Sequence, residues 1–175
     1  ILEDSKMKKT GTTIGWFTAF LCVALLWGSP AAAKEYELLI AGTQVTDANC
    51  NNLKDITGVT VASGGEFKYD PAKNMLTMKD VTVSVEGNKN AIWNEIEGLK
   101  IRVLGTNSLK TTGYTTLSCF ASTEIEGSGS LTLTSSTNEA IYLSGSPLTV
   151  SDITLEATGE WGLSLIHISE PTRQA

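Results

Sequence analysis

Proline, basic side chains and charge in general are scarce in this chain. Proline accounts for 4 of the 175 residues and charged residues for 18%. With 16 glycines among many Thr, Ser, Val, Ile and Leu residues, this composition favours an all-β chain with frequent turns over a helical bundle. Lys and Arg total 13 against 19 Asp and Glu, a net charge of -6. That balance argues against a nucleic-acid partner, which requires clustered cations.

Motifs that carry chemistry are equally sparse. No catalytic constellation, nucleotide-binding loop or ordered metal-ligand spacing is present, so no catalytic residue and no cofactor is assigned. The stretch 47–52, DANCNN, has side-chain oxygens that suit Ca²⁺, but Asp and Asn also cap turns on their own. No metal site is predicted, and whether the protein is an enzyme stays open, with the balance against it.

Both ends of the chain differ from its middle. Residues 1–33 are expected to comprise six upstream residues, 1–6, and a secretory signal peptide, because residues 7–33 have a basic start, an apolar run of about 14 residues and small residues before Lys34. The run is shorter than the roughly 20 residues of a transmembrane helix. We therefore expect a secreted, periplasmic or bacterial cell-surface protein without a transmembrane segment in the mature chain.

The C-terminal stretch 163–173, LSLIHISEPTR, is identical to the translation of a transposase adaptor used in sequencing libraries. The repeat pattern described next stops at residue 162. We therefore expect residues 163–175 to be an artefactual tail on a chain truncated at its C-terminus. His167, the only histidine, is accordingly not a candidate catalyst or ligand.

The pattern L-T-x-x-D-[VI]-T-[VL] occurs at residues 76–83 and 148–155. The two copies start 72 residues apart, which is three times 24, and two degenerate copies lie between them. Short strands can be aligned in three columns at intervals of 21 to 26 residues. The columns are 76–78, 101–103, 124–126 and 148–150; 81–83, 107–109, 131–133 and 153–155; and 91–93, 117–119, 140–142 and 161–162.

This periodicity predicts an all-β fold, a parallel β-helix of about four coils over residues 76–162. Each strand points two side chains inward and one outward, and the corners need residues that tolerate left-handed backbone angles. Residues 34–75 are expected to form an N-terminal β cap over the first sheet edge. A β-sandwich is the main alternative, because regular short strands suit it too.

Four segments carry a family resemblance: 36–46, YELLIAGTQVT; 69–77, YDPAKNMLT; 98–107, GLKIRVLGTN; and 127–132, GSGSLT. They resemble the secreted β-helix repeat proteins of Bacteroidales-type gut bacteria, which are described as carbohydrate-binding-domain-like and are largely uncharacterised. The resemblance implies a right-handed, pectate-lyase-like β-helix, an exported or surface location and an association with glycans. It supplies no catalytic residues.

Asp80 and Asp152 occupy equivalent positions in the two copies of the pattern. Three coils at a spacing of roughly 4.8 Å separate them by about 14 Å, beyond the reach of a paired glycosidase acid and base. We expect each to lie at a corner between the first and second strands and to bond local backbone amides.

Trp93 and Tyr142 fall in the third column with Cys119 between them, and Trp161 lies near the next turn. Aromatic rings in register can stack on the pyranose rings of a glycan, which makes Trp93, Tyr142 and Trp161 the candidate ligand-binding residues. They can equally stack inside the coils, and the alternation of Ala91 with Trp93 slightly favours the inward orientation.

Two cysteines remain between the ends, Cys50 in the expected cap and Cys119 in a coil. Export makes a Cys50–Cys119 disulfide possible, and the alternative is two separate, partly buried thiols.

Three functions remain open. The first is an exported or cell-surface module that binds a polysaccharide or surface glycan without catalysis. The second is a structural or adhesive spacer. The third is a polysaccharide lyase or hydrolase whose catalytic coil lies in a missing part of the chain.

Overall fold

The computed structural model describes residues 33–161 and 168–169. All of the expected signal peptide except Ala33 and all of the expected tail except Ile168–Ser169 lie outside the described residues. Within the part that is described, no helix is long and apolar enough to cross a membrane.

The described chain is a parallel β-solenoid of about four coils. One 3₁₀ turn, Leu53–Asp55, interrupts the strands. The strands in chain order are β1 Glu35–Ile40, β2 Thr43–Thr46, β3 Val59–Asp70, β4 Met75–Val85, β5 Ile92–Asn94, β6 Leu99–Leu104, β7 Thr106–Thr111, β8 Leu117–Cys119, β9 Thr123–Gly127, β10 Ser130–Ser135, β11 Ile141–Leu143, β12 Leu148–Val150, β13 Thr154–Thr158 and β14 Ile168–Ser169.

Three parallel columns of strands form the faces of the solenoid, as the periodicity predicts. The first half of β4 pairs with β6, which pairs with β9 and then β12. The second half of β4 pairs with β7, followed by β10 and β13. The third column is β5, β8 and β11. The β-sandwich alternative is therefore excluded.

The register is more regular than the sequence alignment suggests. In the first column Leu76 pairs with Ile101 and Ile101 with Ile125, whereas the sequence aligned Glu124 with Ile101. In the last coil Leu155 pairs with Leu131, two residues from the expected partner, Ile153. The strands thus recur every 24 to 26 residues. Through these pairings Leu76 corresponds to Val150, so the second copy of the L-T-x-x-D pattern, which begins at Leu148, is offset by two residues from the first.

An antiparallel segment precedes the coils. β3 pairs with β4, with Tyr69 opposite Leu76. β1 pairs with β2 and with β5, where Leu39 lies opposite Trp93. β3 and β1 thus each cover an edge of the first coil, where a cap is expected, and β2 extends the sheet beyond β1.

The interior of the coils is a continuous apolar core. Stacked side chains such as Leu76, Ile101 and Ile125 are fully buried, as alternation in a strand requires. Buried asparagines accompany them: Asn94 is 0% and Asn107 1% exposed. Their amide groups bond backbone and hydroxyl groups of adjacent coils, so these polar side chains belong to the interior.

Asp80 and Asp152 lie at corners, as the sequence predicts. Their φ angles are 54° and 57°, in the left-handed region that Asp tolerates better than most residues. The expected local bonding is wrong for Asp80, because its Oδ1 accepts from the backbone N–H of Thr106 in the next coil, 3.0 Å away. The carboxylate therefore ties one corner to the next.

Cys50 and Cys119 are separate, buried, free thiols, so the alternative without a disulfide describes this structure. Burial raises the pKa of the Cys119 thiol to about 11, because the interior disfavours the thiolate. Since the thiolate is the reactive form, Cys119 is protected from modification by both burial and charge state.

We therefore expect neither thiol to react with a disulfide-exchange reagent at pH 8 in the native chain, and both to react at once in denaturant. The folded-state pKa of Cys119 lies above its usual value, so this group stabilises the fold fully below about pH 9. Its contribution falls as the pH rises from 9 to 11.

Thiol titration by absorbance measures the reactivity of Cys50 and Cys119 in the native and the denatured chain. A Cys50–Cys119 disulfide would leave neither thiol reactive in denaturant without reductant.

Candidate functional site

The third column of strands presents a row of side chains on its outer face. In β5, Ile92 and Asn94 are buried while Trp93 between them is half-buried. Trp93 pairs with Ser118, and Ser118 with Tyr142, which is 37% exposed. The slightly favoured inward orientation is thus wrong, and so is the alignment of Cys119 with Trp93. Cys119 pairs with Asn94 inside the coil.

Phe120 completes an aromatic row with these two residues. It follows β8 directly and is 37% exposed. Its ring stacks on Trp93 with centroids 5.0 Å apart and planes 25° apart, and it lies 5.7 Å from Tyr142 at 54°. The backbone N–H of Phe120 donates to the carbonyl of Asn94, which fixes the ring between the two coils. Trp93, Phe120 and Tyr142 are called the aromatic row below.

Trp161 lies apart from this row. It is 73% exposed, and its Nε1 donates to the carbonyl oxygen of Thr137, 3.0 Å away. It is not among the residues that line the two cavities beside the row. The structure therefore brings together two of the three predicted ligand-binding residues.

One cavity of about 280 Å³ borders the C-terminal part of the aromatic row. All three aromatic rings line it, together with polar side chains at the rim. Its other lining residues are Asn90, Tyr114, Thr115, Ser118, Asn138 and Glu139. Thr115 Oγ1 donates to Glu139 at 3.3 Å, so the carboxylate is held at this end.

A second cavity, of about 410 Å³, borders Trp93 on the side of β1. It is lined by Leu39, Gly42, Asn88, Lys89, Asn90, Trp93 and Tyr114. The two cavities share Asn90, Trp93 and Tyr114. They therefore form one groove along the outer face of the third column, which we call the column groove.

Asn90 is a rigid part of the column groove. It is 5% exposed, and its Nδ2 donates to the carbonyl of Thr115 at 2.9 Å and to Ser118 Oγ at 2.7 Å. Both N–H groups of the side-chain amide thus donate to the next coil. The Oδ1 atom is left as an acceptor for a ligand hydroxyl.

Charge is separated along the column groove. Glu139 is the charged residue that lines one cavity and Lys89 the one that lines the other. In the described ranges, no group of three or more His, Cys, Asp or Glu side chains is arranged to hold a metal ion. The groove thus combines aromatic surface, amide and hydroxyl groups, one cation and one anion.

Sequence analysis missed Phe120, Tyr114, Asn90 and Lys89. Phe120 lies one residue beyond its strand, and a column alignment that placed Ser118 opposite Trp93 would have found it. Asn90 and Lys89 precede β5 in a corner, where no repeat pattern identifies them.

Comparison of this chain with protein-family models, with curated proteins and with solved structures finds no match in any of the three.

Proposed function

We propose that this protein is an exported or cell-surface β-solenoid that binds a glycan chain in the column groove without catalysis. The observation that carries the proposal is the aromatic row, three rings on successive coils at spacings of 5.0 and 5.7 Å. Exposed aromatic side chains in a row are uncommon on a protein surface unless they serve an interaction. The predicted signal peptide supports the location.

Stacking explains how the aromatic row would hold sugars. The C–H groups of a pyranose carry partial positive charge and meet the negative face of an aromatic ring, and the contact buries apolar area. Phe120 covers one face of Trp93, so a sugar would stack on the opposite face of Trp93 or on the exposed part of Tyr142. Hydroxyl groups of the same sugars would bond Asn90, Ser118 and Glu139.

The number of carboxylates that line the groove favours binding over hydrolysis. A glycosidase uses two carboxyl groups on either side of the scissile bond. Among the residues that line the two cavities, Glu139 is the one carboxylate. A second acid or base for cleavage is therefore missing from the described groove.

The proposal is tested by glycan-array binding of the purified chain, followed by calorimetry with each polysaccharide that binds. Trp93→Ala is expected to weaken binding by up to about tenfold, since a stacked aromatic contact contributes about 0.5 to 1.5 kcal/mol beyond the area it buries. Trp93→Phe keeps a ring face and is expected to lose less. Trp93 Nε1 is buried without a hydrogen-bond partner, so its removal leaves no partner group unpaired.

Two control variants accompany this test. Trp161→Ala removes an equally large ring outside the column groove, and Arg102→Ala removes an exposed side chain from the first column. Both should bind like the parent chain. Binding of no polysaccharide by the parent, or equal losses in Trp93→Ala and Trp161→Ala, would contradict the proposal.

A further inference from the structure

The geometry points to a carboxylate-bearing sugar, a uronic acid, as the residue that occupies the β1 end of the column groove. This inference rests on the proposed function, because it specifies which sugar the groove selects. The cation that would recognise the carboxylate is Lys89.

The cavity at this end has the volume and the lining residues of a sugar subsite. Its volume is about 410 Å³, the larger of the two, and small-ligand sites begin at about 300 Å³. Trp93 and Tyr114 supply aromatic surface and Leu39 an apolar wall, while Asn88 and Asn90 supply amide groups. Phe120 lies on one face of Trp93, so a sugar in this cavity would use the opposite face.

The position of Lys89 is set by its packing. A Cβ atom added at Gly42 would lie 2.9 Å from Lys89 Cδ and 3.2 Å from Cγ, which shows that the side-chain stem crosses directly over Gly42. The aliphatic stem is thus packed on the β1–β2 turn, and Lys89 is one of the residues that line the cavity. An anchored lysine loses less conformational entropy on binding an anion than a free one.

The charge of Lys89 is available to a ligand. The three ion pairs found in the described part of the chain use Lys68, Lys73 and Lys100. No acidic residue lines the Lys89 cavity. Lys89 therefore forms none of these ion pairs, and the cavity that it lines together with Trp93 holds no opposite charge.

The opposite end of the column groove fixes the direction of the glycan. Glu139 is the charged residue there, and it would repel a carboxylate while accepting hydrogen bonds from neutral sugar hydroxyls. An acidic glycan would therefore lie with a uronic acid against Lys89 and a neutral sugar against Glu139. A polymer made of uronic acids alone gains binding at Lys89 and is repelled at Glu139, whereas an alternating acidic polysaccharide satisfies both ends.

The test compares polymers with the same sugar backbone whose carboxyl groups are either charged or methyl-esterified. Polygalacturonate, alginate and glucuronan are each measured against the purified chain by calorimetry, beside the same polymers after methyl esterification. At least one polyuronate is expected to bind about tenfold tighter than its ester, since a hydrogen bond to a charged group contributes about that factor. The advantage should shrink as salt rises.

Variants then assign the effect to Lys89. Lys89→Gln should remove the preference for the acid over the ester, and Lys89→Arg should keep the preference. Lys110→Gln, at an exposed lysine of β7, is the matched control. Glu139→Gln should strengthen polyuronate binding.

The outcomes separate the two proposals. If neutral glycans bind but no polyuronate exceeds its ester, the uronic-acid inference is overturned and glycan binding stands. If Lys89→Gln weakens acid and ester equally, Lys89 is not the carboxylate site. If no glycan of either kind binds, both proposals fall.

Discussion

Replacing Gly127 with valine is expected to lower the free energy of unfolding by about 3 to 5 kcal/mol. Gly127 ends β9 with a φ of 145°, a backbone angle that is essentially restricted to glycine. An added Cβ would also overlap the carbonyl oxygen of Val103. That oxygen accepts from the backbone N–H groups of Ser128 and Gly129 at 3.1 and 3.2 Å. The substitution therefore disrupts the corner that joins two coils.

Gly87→Ala separates the two causes of this effect. Gly87 has a φ of 73°, and an added Cβ would meet nothing within 4 Å. Its cost is the left-handed backbone alone, about 1 to 2 kcal/mol. Urea denaturation followed by circular dichroism measures both variants. If both variants lose the same free energy of unfolding, the overlap of the added Cβ with Val103 is relieved at no cost.

The sequence predicts the architecture because a solenoid repeats each physical requirement at a fixed interval. Apolar residues that recur along each column build the core, and Asp80 shows how a corner selects residues that accept positive φ. The predicted three columns and four coils depend on these features alone. These features are local in the sequence, so a single sequence is enough to reveal them.

The orientation of the aromatic row could not be predicted for a specific physical reason. The sequence orients Trp93 by its alternation with Ala91, yet β5 begins at Ile92, and the buried strand residues on either side of Trp93 are Ile92 and Asn94. Asn94 Nδ2 donates to Thr123 Oγ1 at 2.9 Å in the next coil. A solenoid offers a buried asparagine partners one coil away, about 25 positions along the chain. Sequence pattern does not register a partner at that distance, and the inward and outward faces were therefore exchanged.

The column groove shows the same limit. It assembles residues from three coils and from the β1–β2 hairpin, and Lys89 and Gly42 meet although they are far apart in the chain. Trp93 and Tyr142 were found because they share a column. Phe120 lies between these two rings in space, but in the sequence it follows the aligned residues 117–119 by one position. It was therefore missed.

Asn107→Leu is expected to lower the free energy of unfolding by about 3 kcal/mol, although leucine has nearly the same size and suits a buried position. Asn107 Oδ1 accepts from the backbone N–H of Val81 at 3.0 Å. Its Nδ2 donates to the carbonyl oxygens of Leu104 and Ser130 at 2.9 and 3.3 Å. The side chain thus connects three coils, and leucine leaves those backbone groups unpaired in the interior, at about 1 to 3 kcal/mol for each group that stays unsatisfied.

Thr137→Ala is the matched control for this variant. Thr137 Oγ1 donates to the carbonyl of Thr112, 25 residues away, at 3.2 Å, and the bond is exposed. Water replaces an exposed partner, so the loss should stay below about 1 kcal/mol. Urea denaturation of both variants checks the comparison. An Asn107→Leu chain as stable as the parent would mean that apolar burial outweighs the hydrogen bonds, and that the buried asparagines of this solenoid set the register of its coils without stabilising them.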